Sequence, residues 1–446
     1  MTHPGHTVTL GVVTTENPVV VFFPEGAFGP TNNCVGIGNV LRERGARVVF
    51  VVEESFKGTL EAKGFEEALM RLKPPPEEPE EPGQFWKDFV RETAPVFRES
   101  TFTQLEGFIK PVWEELIDGA RYVNPRLTEI FDELKPDVIV EDNVVAFPAV
   151  PASRAPWARI VSCNPLELRD SDLPPPFSGL ATEDRSGWVP FRTRYRELHR
   201  ALQHDFSAFC REECGLPLPE PEFMLESPYL NMYVYPRELD YERSVALKPT
   251  WHRIESCVRA TDEPFALPEL LRDGPGKLIY LSLGSLGSAD IELMQRLIGL
   301  LGRTQHRVIV SKGPQHEEIE LADNMYGAEF LPQTNILPLV DLVITHGGNN
   351  TVTEAMHFGK PMLVLPLFWD QHDNAQRVEE MHFGVHLSTY GFSELEFYTA
   401  LDMLLSDASL KERMAVIAER LQAEPGTHKA ADLIWLLAQE KQPITE

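Results

Sequence analysis

Nine consecutive residues gather groups able to hold a phosphorylated ligand: His346, Gly347, Gly348, Asn349, Asn350, Thr351, Val352, Thr353 and Glu354. The apolar stretch before them, Leu342, Val343, Ile344 and Thr345, reads as a buried strand, and the residues after Gly348 read as a helix. A strand that ends in His-Gly-Gly and turns straight into a helix brings unpaired backbone N–H groups and the positive helix end to one spot. That spot suits a phosphate. Asn350 and Thr351 add side-chain donors. Glu354, one helical turn beyond Asn350, can accept from sugar hydroxyls. The run reads as a seat for a nucleoside diphosphate.

To hold that run at a strand end, the second half of the chain must build an α/β unit. Strand-like runs occur at 277–282, 307–310, 342–345 and 362–365, with helical segments between them. The first half opens on a continuous apolar run at 19–23, of the kind buried in parallel sheets. The turn-rich stretch 24–30 follows, then Thr31, Asn32 or Asn33 as a helix cap, with Ile37, Val40 and Leu41 at helical spacing. Gly45 ends that helix and 47–52 makes a second strand, completing one βαβ unit. A Pro/Glu segment at 73–82 cannot enter a core. Helical stretches run on to about 133 and carry Trp86, Phe89, Phe97, Phe102, Phe108 and Trp113. Further strands fall at 137–140, 158–161 and 229–234, with long helices ending near 214. Residues 240–275 read as a connector. Two βα halves of similar size leave a cleft at the carboxyl ends of their strands.

Composition narrows the partners. The 68 acidic residues against 41 basic ones give a net charge of −27, which repels nucleic acid and anionic membranes. No apolar run approaches the ~20 residues needed to span a bilayer. The first residues carry no basic or long apolar leader, and the five cysteines are scattered, so a cytoplasmic protein with reduced thiols is expected. Cys210 and Cys214, four apart, lack the paired spacing of a zinc or redox site. Gly26 and Gly29 do not make a dinucleotide fingerprint.

Further groups stand at fixed distances from His346. Phe330-Leu331-Pro332-Gln333 precedes it, Glu354 lies eight residues after it, and Asp370-Gln371 begins twenty-four after it. In this set, over about 278–390, the chain resembles the UDP-glycosyltransferase superfamily, the inverting transferases of plant, animal and macrolide type. Their donor signature runs from aromatic-x-Pro-Gln through His-x-Gly-x-Asn-Ser/Thr and a Glu to Asp/Glu-Gln. The resemblance implies the α/β GT-B fold, with two Rossmann-like domains facing a central cleft. It places an acceptor-binding domain at 1–245, a donor-binding domain at 246–425 and a last helix, 426–446, crossing back to the first. It also implies roles: Phe330 stacks on the uracil and Gln333 reads the base edge or ribose. His346, Gly348, Asn349, Asn350 and Thr351 hold the pyrophosphate, with Ser285 in a small loop near the phosphates. Glu354 takes the ribose hydroxyls, and Asp370 and Gln371 the transferred sugar.

The expected activity is transfer of a hexose, glucose first, from a UDP-sugar to a small apolar or aromatic acceptor. No metal and no cofactor beyond the donor is implied. Asp170-Ser171-Asp172 has the form of a metal-binding Asp-x-Asp, but it lies in the wrong half and lacks companion ligands. One departure stands out. Relatives use a His after the first strand as base, oriented by an Asp from a later strand. Aligned on Arg44-Gly45, the family's Gly-His falls on Gly29-Pro30, and no His occurs between His6 and His199. Asp142 takes the position of the family's Asp. Three readings stay open. Asp142 is itself the base, with Glu25 a less favoured substitute; or the acceptor is a thiol, carboxylate or acidic phenol that needs little deprotonation; or the protein binds donor and is catalytically weak or silent. Terminal His3 and His6 are poor substitutes. A nucleotide-sugar epimerase or hydrolase is the rival enzyme class.

Overall fold

The run that begins at Val19 forms β1 (Val19–Pro24), buried on both faces, in a computed structural model that describes residues 17–26, 28–75, 94–259 and 264–445. His3, His6, Trp86, Phe89 and most of the Pro/Glu segment lie outside the described residues. Around β1 the first half assembles β2 (Arg47–Glu53), β3 (Glu66–Met70), β4 (Val138–Asp142), β5 (Trp157–Val161), β6 (Leu230–Tyr233) and β7 (Trp251–Arg253). They form one parallel sheet in the order β3-β2-β1-β4-β5-β6-β7. The second half builds β8 (Leu278–Ser282), β9 (Arg307–Ser311), β10 (Met325–Ala328), β11 (Leu342–Thr345), β12 (Met362–Val364) and β13 (Gly384–His386). Their order is β10-β9-β8-β11-β12-β13, again all parallel. Two Rossmann-like sheets with flanking helices make this the GT-B fold.

Helices cover both faces of each sheet, and for that reason the central strands read as unbroken apolar runs. On one face of the first sheet lie α1 (Phe28–Glu43) and the last helix, Gly426–Glu440. Ile37 and Leu41 of α1 pack with Ile434 and Leu437 of that helix, over Val20 and Phe22 of β1. The opposite face carries α2 (Lys110–Leu134) and α3 (Trp188–Cys214).

The structure corrects three expectations. The first helix begins at Phe28, so Thr31, Asn32 and Asn33 lie inside it and do not cap it. Thr31 Oγ1 instead donates to the carbonyl of Glu25 at 3.3 Å. Strand β7 lies within the presumed connector and pairs with β6, Asn231 opposite Trp251, which carries the first sheet past residue 245. Strands β3, β7, β10 and β13 were invisible in the hydrophobic pattern. They stand at or next to sheet edges, are three to five residues long and are half-exposed, so little in them had to be apolar.

Candidate functional site

In both sheets the chain changes direction beside the first strand of the sheet, between β1 and β4 and between β8 and β11. Ligands in open α/β sheets bind at the carboxyl ends of such strands, where crossovers leave to opposite faces and open a crevice. Here the four strand ends carry Glu25, Asp142, Leu283 and His346. Between the halves lies a cleft of about 600 Å³, lined by Glu25, Pro30 and Ser162 on one side and by Ser285, Phe330 and His346 on the other.

The second half supplies the anion seat. Helix α4 (Asn349–His357) starts at Gly348 with no side chain capping it, so its first-turn N–H groups are left for a ligand. The His346 ring is wedged between two glycines. A Cβ on Gly348 would lie 2.6 Å from its Nε2, and one on Gly284 would lie 2.9 Å away. Gly284 also has a φ of +71°, so an L side chain there is disfavoured twice. Burial pushes the imidazole down to about 4, so it is neutral at physiological pH and acts as a dipole, not a cation. Ser285, Asn350 and Thr351 line the same wall, and Phe330, 57% exposed, stands beside it.

Two residues of this set are already engaged. Glu354 is 1% exposed and accepts from Arg259 Nη1 at 3.0 Å, Gln333 Nε2 at 2.6 Å and Asn350 Nδ2 at 3.2 Å. Any further donor to this carboxylate must share it with those three or displace one. Asn349 also lines the cleft, but its Nδ2 donates to the carbonyls of Ser162 (2.9 Å) and Val234 (3.0 Å) in the first half. With its amide protons spent on an interdomain contact, what Asn349 can offer a phosphate is its backbone N–H. Arg259 was not singled out in the sequence, where nothing marks a lone Arg in a connector.

Asp370 and Gln371 sit where α5 (Gln371–Glu380) begins. Asp370 Oδ2 accepts from Asn164 N of the first half (2.8 Å) and from Asn374 Nδ2 (3.3 Å). Gln371 Oε1 accepts from Leu367 N and Phe368 N at 3.0 and 3.3 Å, which orients the amide so that its nitrogen is left for a ligand. The preceding Trp369 holds a left-handed φ of +57°, which costs an L residue about 1–2 kcal/mol. Its ring packs on Phe177 (4.6 Å) and Trp113 (5.0 Å), while Phe368 stacks on Phe97 (4.8 Å), so aromatic burial holds the strained turn in place. Phe108, Val112 and Leu116 continue this apolar wall along the cleft.

The first half contributes buried acids. Asp142 ends β4, is 4% exposed, and accepts from Ser162 Oγ at 2.5 Å; Ser162 in turn accepts from Asn33 Nδ2 at 2.9 Å. Desolvation pushes Asp142 up to about 7, against the hydrogen bond from Ser162. It does not line the cleft; Ser162 stands in front of it. Glu25, the next residue after β1, does line the cleft. Desolvation, and then Asp142, Glu167, Asp370 and Glu53, push it up to about 8. Pro30 lies in the first turn of α1, facing the cleft. Asp170 is taken up by Ser244 and the N–H of Asp172, and Asp172 pairs with Arg185. Among the described residues no group of three or more His, Cys, Asp or Glu is placed to hold a metal, and no helix is long and apolar enough to cross a membrane.

Known proteins share this fold. The family described as UDP-glucoronosyl and UDP-glucosyl transferase matches residues 203–425. The UDP-glucosyltransferase YojK of Bacillus subtilis (strain 168), itself described as uncharacterized, is 21% identical over 95% of this chain and 98% of its own. Sterol 3-beta-glucosyltransferase of Pichia angusta is 26% identical over 53% of this chain, a match that spans 20% of that protein. Among solved structures, the glycotransferase of kitacinnamycin superposes with a TM-score of 0.66 at 20% identity, covering 95% of this chain and 99% of that one. At that identity the superposition speaks for the fold alone.

Proposed function

The chain belongs to the UDP-glucoronosyl and UDP-glucosyl transferase family, and we propose that it moves a hexose, glucose first, from a UDP-sugar to a small apolar or aromatic acceptor with inversion at the anomeric carbon. The observation that carries this reading is the pairing of two unlike walls across one cleft. An uncapped helix N-terminus with the neutral His346 faces an apolar wall of Phe108, Val112, Leu116, Phe368 and Trp369.

In this reading the diphosphate rests on the first-turn N–H groups of α4, with His346, Asn350, Thr351 and the Ser285 loop around it. These groups stabilise the negative charge that grows on the departing diphosphate, and they need no reorganisation to do so. Phe330 stacks on the base, Gln333 and Glu354 meet the ribose, and Asp370 and Gln371 hold the hexose. The charge stabilisation comes from the chain's own donors, so no cofactor beyond the donor sugar is called for. The acceptor enters along the aromatic wall and attacks the anomeric carbon from the side opposite the diphosphate.

The test uses UDP-glucose with a panel of alcohols, phenols and thiols, and calorimetry of UDP with the wild type and Glu354→Ala. A new glycoside and a UDP affinity weakened in the variant are expected. Free glucose or an epimer in place of glycoside would assign the protein to the hydrolase or epimerase class. Binding without turnover would leave it a donor-binding protein, and an unchanged UDP affinity in Glu354→Ala would remove that residue from the donor site.

A further inference from the structure

Resting on the transfer reading above, we propose that Glu25 is the catalytic base, the group that takes the acceptor's proton, in place of the absent histidine.

Position is the first ground. Among described residues that line the cleft from the first half, the ionisable side chains are Glu25 and Cys163. Burial holds the Cys163 thiol well above its usual range, which leaves it inert. Glu25 follows the carboxyl end of β1, at the direction change of the sheet. Its backbone is pinned on both sides: its N–H donates to Asp142 O at 2.8 Å, and its carbonyl accepts from Thr31 Oγ1. Its carboxyl, by contrast, makes no hydrogen bond to any described residue. A fixed main chain with an uncommitted carboxyl aimed into a ligand cleft is an arrangement that folding alone does not require.

The second ground is what stands next to it. Glu25, Gly26 and Leu116 line both the main cleft and a narrow apolar side chamber formed with Phe23, Met70 and Phe147. An apolar acceptor lying along that wall brings its hydroxyl past Glu25. Asp142 offers no such access, being sealed behind Ser162.

The third ground is electrostatic. The charged groups that act on Glu25 are all acids from separate elements: Asp142 ending β4, Glu167 after β5, Asp370 before α5 and Glu53 ending β2. No cation stands among them. With desolvation they raise its proton affinity to about 8, so the carboxylate is far more basic than a solvated one. A base is most effective when its affinity lies near the working pH. In the step, the acceptor O–H proton moves to the Glu25 carboxylate and the acceptor oxygen's electron pair forms the new bond to the anomeric carbon. The bond from that carbon to the diphosphate breaks, and its electron pair leaves on the diphosphate oxygen.

The experiment measures kcat/KM against pH with UDP-glucose for an aliphatic alcohol and for 3,4-dichlorothiophenol, in wild type, Glu25→Gln, Glu25→Asp and Asp142→Asn. Wild-type transfer to the alcohol should rise with pH through a limb near 8. Glu25→Gln should lose that limb and fall by about 10²–10⁴-fold with the alcohol, the usual share of a general base. It should lose far less with the thiol, which ionises unaided, and its UDP affinity by calorimetry should be unchanged. Glu25→Asp keeps a carboxylate and should retain the limb at reduced rate. Asp142→Asn removes a neighbouring acid and should move the limb to lower pH. Alcohol transfer in Glu25→Gln within about threefold of wild type, or equal losses with alcohol and thiol, would overturn the assignment while the transfer reading stands. A wild type that binds UDP and glycosylates no acceptor overturns both.

Discussion

The two sheets repeat one topology and end in opposite chemistries. At the β8/β11 end the groups are backbone N–H, a neutral imidazole, amides and hydroxyls; at the β1/β4 end they are carboxyls, Glu25, Glu141 and Asp142, all pushed up by burial. The first end suits a bound dianion, since it offers dipoles without a full positive charge that would hold the product diphosphate too tightly. The second end would repel a dianion, and in the proposed reading it concentrates proton affinity where the acceptor is deprotonated. In that reading one architecture separates charge stabilisation from proton transfer across its cleft, with aromatic side chains between them.

The comparison can be broken most severely at Glu354. Removing its carboxylate leaves the half-buried Arg259 guanidinium unpaired, and breaking such a pair costs about 3 kcal/mol or more. Chemical denaturation should show that loss in Glu354→Ala. The double variant with Arg259→Met should regain most of the stability and none of the UDP affinity, which separates the two jobs of the carboxylate. Next in size is Gly348→Ala. The added methyl meets His346 Nε2 at 2.6 Å, and overpacking of this kind costs about 1–3 kcal/mol. Because the strain is relieved by moving the imidazole out of the seat, it should show as a weaker UDP affinity, with Tm little changed. Phe330→Ala should weaken UDP by about 1 kcal/mol, the share of a single aromatic stack. The exposed ring contributes little to the fold, so Tm should hold.

The mildest test is pH. Glu25, Glu141 and Asp373, each raised to about 8, keep protons in the folded chain that the unfolded chain has lost. Their contribution is complete below the ordinary carboxylate range and is lost as pH rises through 8. His199, His346, His357 and His372, pushed down to about 4, are neutral in both states only above about pH 7.5 and cancel there. Tm by calorimetry should therefore fall between about pH 7.5 and 8.5, and fall less in Glu25→Gln. A rising Tm over that interval would mean that these acids are solvated.

Much of the donor wall was legible without coordinates, because its logic is local. The strand at 342–345, the two glycines and the uncapped helix follow one another within a dozen residues, and backbone preference dictates their order. The central strands were legible for a similar reason: a strand covered on both faces must be apolar throughout. The edge strands were not, since a half-exposed strand tolerates Glu66, Glu67 or His386. The partners of Asn349 and Glu354 were not legible either, because residue type and spacing reveal what a side chain can bond and not which partner reaches it.

By itself the sequence determined the run at 346–354 as a candidate anion seat, the two parallel α/β units and the absence of a histidine between His6 and His199. Tertiary structure alone decided that Arg259 reaches Glu354 from 95 residues away, that Asn349 is spent on Ser162 and Val234, and that Asp142 lies sealed behind Ser162 while Glu25 faces the cleft. The physical reason is range. Backbone conformation and burial periodicity act between neighbours along the chain, whereas desolvation, hydrogen-bond partners and the repulsion among buried acids depend on what folding brings alongside.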